Sequence, residues 1–165
     1  MGRSSTKTDK SIYQKTREAL NLTREKASEL LDCISPEKIE KIENSKVNIQ
    51  PEDVVVMAKG YKAPQLCNYY CSNECPIGKQ SVPELKIKEL SQITIETLSA
   101  LNRIEAETGR LVEIVEDGKI TPDEYEDFKK IKKTLDKISL SVDTLQLWVD
   151  QAVADGLIDK SILDK

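Results

Sequence analysis

Cysteine is the residue type in this chain best suited to chemistry. Cys67, Cys71 and Cys75 stand at i, i+4 and i+8, with Pro76 next, and Cys33 stands alone. Four thiolates could hold Zn2+ or an iron–sulfur cluster. The same thiols could serve as a redox switch, or pack as small apolar side chains. The C-x2-C knuckle common in metal sites is missing. On one straight helix, i and i+8 lie ~12 Å apart, so a shared metal would need a bend near Ser72-Asn73. Cys33, Cys67, Cys71 and Cys75 are thus the candidate ligands, and the rest of the sequence requires no cofactor. The loop Asp117-Gly118-Lys119-Ile120 with Glu124 matches part of a calcium loop, but Val115 falls where an oxygen ligand is needed.

The chain has no His. That removes the Ser-His-Asp and Cys-His arrangements, the two-His zinc helix and imidazole acid–base work. Its six Gly form no phosphate-cradling loop. An enzyme is therefore not expected, and no small-molecule substrate is evident.

In 165 residues, 33% are charged and the mean hydropathy is −0.48. No run approaches the ~18–20 apolar residues of a membrane helix. The polar start has no apolar signal region, so a cytoplasmic protein without a membrane partner is expected. Leu, Ile, Lys and Glu dominate and aromatics are 4%, which favours an all-α fold. Residues 1–62 carry 12 basic and 10 acidic side chains, whereas 84–165 carry 12 basic and 18 acidic. A mildly basic front and an acidic back suggest two jobs.

The front reads as short helices after a disordered basic arm over 1–10. Ser11, Thr23 and Ser35 are placed as N-caps, with Pro36 at the first helical position after Ser35. Pro51 opens a fourth helix, with Gly60 as its stop, and Leu66 belongs to a fifth. The stretch 76–83, rich in turn formers, reads as a linker. Beyond it, 84–165 reads as two long helices. A capping box, Thr121 with Glu124 around Pro122, starts the second. The loop between them is short, which makes them antiparallel neighbours.

The stretch Leu22-Thr23-Arg24-Glu25-Lys26-Ala27-Ser28-Glu29-Leu30-Leu31, followed by Ile39-Glu40-Lys41-Ile42-Glu43-Asn44-Ser45-Lys46, resembles the lambda-repressor/Cro-like helix-turn-helix family. That family is also called the xenobiotic-response-element type. Here Ser45 replaces the family's Gly. Pro51 to Lys59 looks like the family's fourth helix, and the resemblance covers about residues 11–66. It implies an N-terminal five-helix bundle, over 11–75, that binds double-stranded DNA with its third helix in the major groove. By position, Ser35, Glu37, Lys38 and Lys41 would face DNA, with Ile39 and Ile42 holding the helix to the core. Arg24 occupies a phosphate-contacting slot, and Asn44 and Lys46 would lie close to the backbone.

The function implied is a sequence-specific transcriptional regulator acting as a homodimer. The alternative is a non-DNA-binding adaptor or antitoxin-like module on the same fold. The Glu-rich third helix, with Glu37, Glu40 and Glu43, separates the two, since carboxylates near phosphate cost energy. Glu40 and Glu43 are expected to pair with Lys neighbours along the helix. Dimerisation falls to the C-terminal antiparallel helical hairpin. There Phe128, Ile131, Leu135, Ile138, Val142, Leu145 and Val149 follow an unbroken 3-4 spacing.

Overall fold

The structure, a computed structural model, describes residues 10–163. The arm expected over 1–10 lies outside them except for Lys10, whose ammonium pairs with Glu18 at 2.6 Å. The described residues are all-helical, with no strand. No helix among them is long and apolar enough to cross a membrane. They divide into two compact units. One is the chain up to Glu84 together with the segment from Asp150 onward; the other is Leu85–Val149.

The first unit holds α1 (Ile12–Ala19), α2 (Arg24–Leu31), α3 (Pro36–Glu43), α4 (Pro51–Gly60), α5 (Gln65–Asn73) and α6 (Gly78–Ser81). Each of the first three starts on a hydroxyl. Ser11, Thr23 and Ser35 accept from the backbone N–H of Gln14, Lys26 and Lys38 at 3.2–3.3 Å, which satisfies a donor the helix cannot pair itself. The helices are too short to stand alone. They share a core that includes Tyr13, Ala27, Ile34, Ile39, Met57 and Leu66, each at most 3% exposed.

Their ends share a device. After α1, α3 and α4 a single non-glycine residue turns left-handed: Asn21, Ser45 and Lys62, at φ 55°, 53° and 52°. The next residue donates back five positions. Leu22, Lys46 and Ala63 bond the carbonyls of Arg17, Lys41 and Ala58 at 3.3, 2.8 and 2.8 Å, closing Schellman motifs. Lys62, not Gly60, thus supplies the left-handed stop after α4. Gly60 serves packing instead, since a Cβ there would lie 2.4 Å from Leu31 Cδ2. After α2, Asp32 is left-handed at φ 59°, and the turn drives Ile34 into the core.

The stretch 76–83, expected as a linker, contains α6 folded back on α5. A Cβ on buried Gly78 would sit 2.1 Å from the Cys71 carbonyl oxygen, and Asn68 Nδ2 donates to the Pro83 carbonyl at 3.0 Å. The sequence pattern marks these turn formers, but not the close approach that only glycine permits.

The second unit holds α7 (Leu90–Val115) and most of α8 (Tyr125–Ala154). It stops at Val149, where the sequence reading carried one domain to 165. The last turn of α8 and α9 (Lys160–Leu163) belong to the first unit. There Gln151 Nε2 donates to the Lys62 carbonyl at 3.1 Å. Helix α8 begins at Tyr125, three residues after Pro122. Glu124 takes both the N–H and the hydroxyl of Thr121, at 2.9 and 2.7 Å. Only the Glu side of the expected capping box forms, because the Glu124 N–H donates to the Thr121 carbonyl at 3.0 Å rather than to the Thr121 hydroxyl.

Two substitutions test the backbone reading. Ser45→Gly is expected to stabilise by about 0.5–1 kcal/mol, since glycine adopts positive φ without a Cβ penalty. Gly78→Ala should lower the melting temperature, because the clash is with backbone rather than with a flexible side chain. Urea and thermal denaturation of both variants check the opposite signs.

Candidate functional site

Helix α3 alternates between two fates. Ile39 and Ile42 are 0% and 4% exposed, and Glu43 is 3% exposed. Ser35, Glu37, Lys38 and Lys41 are exposed. These four line one cleft of about 350 Å3, together with Val47, Asn48, Gln50 and Asp53. The cleft runs between α3, the 44–50 loop and the start of α4.

The buried Glu43 is the electrostatic anchor. Arg17 Nε and Nη2 donate to its two carboxylate oxygens at 2.5 and 3.1 Å. Arg24 Nε adds a third bond at 2.8 Å, and Arg17 Nη1 also reaches the Leu22 carbonyl. Burial works against the Arg17 charge, but the hydrogen bonds and charge of Glu43 outweigh it and raise the guanidinium pKa. The expectation that Glu43 pairs with a Lys along its own helix is corrected: its partners come from α1 and α2. Arg24, expected in a phosphate-contacting slot, is held on Glu43 with its side chain 32% exposed.

The other proposed contacts are engaged too. Lys38 Nζ lies 2.7 Å from Asp53 Oδ1, and Lys46 Nζ lies 3.0 Å from Glu40 Oε1. The Lys46 hydrogen bond and charge hold the Glu40 carboxyl below the usual range. Asn44 caps the end of α3 and donates to the Glu40 carbonyl at 2.9 Å. Ser35 caps its start. Helix N-terminal backbone and the Ser35 hydroxyl hold the Glu37 carboxyl low. Among the described residues Lys41 has no carboxylate within ion-pair distance, so it is the one cation of the set free to meet an anion directly.

The cysteines do not assemble into a metal site. Cys67 and Cys71 sit one turn apart on α5, Cys75 follows the helix end, and Cys33 is exposed in the turn after α2. Among the described residues no three Cys, Asp or Glu side chains converge where an ion could bind. Burial, with lesser contributions from Cys71 and Asp150, pushes the Cys67 thiol up, away from the thiolate a metal needs. The Cys75 sulfur accepts from the Gly78 N–H at 3.5 Å. Cys71 and Cys75 fit packing between α5 and α6, and Cys67 packs against the core.

In the second unit, Arg110 pairs with Asp127 at 2.7 Å, and Glu107 with Lys130 at 3.7 Å. Three residues back on α7 matches three forward on α8, so the helices run antiparallel in that register. The buried face of α8 is Ile131, Thr134, Ser141, Thr144 and Leu147. Each of these hydroxyls donates to the carbonyl four residues back in its own helix, at 2.7–3.3 Å. Three residues of the expected dimer stripe, Leu135, Val142 and Leu145, are 44%, 55% and 38% exposed. Ile131 is 2% exposed, so it is spent inside the chain, while Phe128, Ile138 and Val149 are half-buried. On α7, Leu98, Leu101, Val112 and Val115 are also exposed.

Comparison of the chain with protein-family models, with curated proteins and with solved structures finds no match.

Glu43→Gln leaves Arg17 buried with a neutral partner and is expected to cost about 3–5 kcal/mol. Arg24→Gln should cost less, because its side chain is 32% exposed and water can replace it. Equilibrium unfolding of both variants checks the ranking; equal losses would mean that burial does not set the cost.

Proposed function

We propose that the first unit is a helix-turn-helix DNA-binding domain, and that the protein is a homodimeric, sequence-specific transcriptional regulator. The observation that carries this reading is the division of α3. One face is locked into the core by Ile39, Ile42 and Glu43; the other presents Ser35, Glu37, Lys38 and Lys41 together. A short helix clamped from behind, with base-reading side chains outward, is what major-groove readout needs. Lys41 supplies phosphate attraction directly. Exposed ion pairs are worth only about 0.2–1 kcal/mol, so phosphates can draw Lys46 from Glu40, whereas Lys38 is held by Asp53, which is buried. Glu37 can accept from a cytosine amine.

The second unit would serve as the dimerising hairpin. Leu98, Leu101, Val112 and Val115 of α7, with Leu135 and Val142 of α8, leave apolar surface exposed among the described residues. A second copy of the same surface would cover it and set the spacing of two α3 helices. Leu135→Glu with Val142→Glu should therefore shift the protein toward monomer in sedimentation without unfolding it. A wild-type protein that sediments as a monomer at tens of micromolar would remove this role.

One observation favours the adaptor reading. Arg24, Lys38 and Lys46 are engaged by Glu43, Asp53 and Glu40, which leaves the α3 surface close to electrically neutral. Selection of duplexes from a random library at about 150 mM salt separates the two, because non-specific attraction is weak there. Enrichment of a two-fold symmetric motif supports the regulator. No enrichment from folded protein supports the adaptor. On an enriched site, Lys41→Ala is expected to weaken binding to all sequences and to lower the salt slope by about one.

A further inference from the structure

A second, larger groove of about 1040 Å3 opens in the first unit, between α1, the 44–50 loop and the end of α5. Tyr13, Tyr69 and Tyr70 line it, with Glu74 beside them. Tyr13 and Tyr69 meet edge to face, with ring centroids 6.1 Å apart and planes at 87°. Two groups in this wall are incompletely satisfied. Tyr13 is 3% exposed, and its hydroxyl faces the Glu74 carboxylate without closing a hydrogen bond of ordinary geometry. Glu74 has no ion pair among the described residues, although Lys79 is near enough for its charge to be felt. Burial pushes the Glu74 carboxyl up, against smaller opposing effects of Tyr13 and Lys79. Burial and the Glu74 charge likewise push the Tyr13 phenol up, so that it stays a neutral donor and acceptor.

A buried hydroxyl turned on a half-buried carboxylate that has no counter-ion leaves the pair short of a positive charge. Ring faces beside a carboxylate make a site for a cation. The lysines at the groove do not fill it: the Lys10 ammonium is held by Glu18, and Lys15 and Lys79 are exposed.

We infer that this groove binds a small organic ammonium ion, with the cation on Glu74 and the Tyr13 hydroxyl and against the faces of Tyr69 and Tyr70. The site also has a route to α3. Ile42, Val47, Asn48 and Gln50 line both this groove and the α3 cleft, so the 44–50 loop is a shared wall. A ligand that orders this wall shifts the population of α3-cleft conformations. This second step, and only this one, rests on the DNA-binding reading.

Titration calorimetry of the full chain with butylamine and choline, and with neutral butanol as the isostere, tests the binding step without DNA. The expected result is saturable binding of at least one ammonium, with butanol weaker by about tenfold or more. Glu74→Gln should cut the affinity by about tenfold or more, and Tyr13→Phe by a few-fold. No saturable heat below about 10 mM, or affinity unchanged in a folded Glu74→Gln protein, overturns the site. If an ammonium binds but leaves the affinity for a selected duplex unchanged, the site stands and its link to α3 falls. If no duplex is ever selected, only the DNA-binding reading is lost.

Discussion

The Arg17–Glu43–Arg24 cluster fixes where α3 points. An eight-residue helix has little stability of its own. Apolar burial of Ile39 and Ile42 holds it against the core, but hydrophobic contact is non-directional and permits sliding and rotation. The paired bonds from Arg17, with the third from Arg24, remove that freedom, because planar guanidinium and carboxylate groups meet in few geometries. They tie the last turn of α3 to both preceding helices. Such a cluster adds little net stability over apolar packing, yet is costly to break from one side. Its value here is orientation.

That anchor shapes the charge of the exposed face. Glu43 is withdrawn from the surface, so it does not repel an approaching phosphate. Arg24 is withdrawn with it, so a cation is lost as well. Lys46 lies against Glu40 in an exposed pair that weak competition can open, and Lys38 lies against the buried Asp53. The result is a surface of low net charge. Affinity for DNA would then depend on shape and on a few direct contacts more than on bulk attraction. Under the proposed dimeric reading, two copies acting together would make such a modest single contact sufficient. The same loop that follows α3 walls two clefts, so events in the tyrosine-lined groove have a physical path to the presented face.

Much of the local structure was legible in the sequence. Ser11, Thr23 and Ser35 act as caps, and Pro36 and Pro51 start helices, because these residues satisfy or lack a donor whatever the tertiary setting. The pairing of Glu43 was not legible. Lysines lie close by along the chain, whereas Arg17 is 26 residues away, and only the fold brings it near. Gly60 read as a stop because glycine commonly ends helices; its lack of a Cβ is used by Leu31 instead. The buried face of α8 was misjudged because Thr134, Ser141 and Thr144 count as polar by type. Their hydroxyls bond their own helix and present methyl and methylene groups to the core. The seam therefore turns away from Leu135 and Val142, which the regular 3-4 spacing assigns to a dimer stripe together with Ile131, the residue the chain buries. The tyrosine groove left no local signal, since Tyr13 lies on α1 whereas Tyr69 and Glu74 lie on α5 and at its C-cap.

The most direct test of α3 as the contact surface is lysine footprinting. The full chain would be acetylated with and without excess duplex DNA, at low salt, and each lysine read by mass spectrometry. Lys38, Lys41 and Lys46 are predicted to be protected, while Lys129, Lys132 and Lys133 of α8 stay reactive. Protection confined to α8, or none on α3 when the protein is shown to be bound, would contradict DNA binding through this helix.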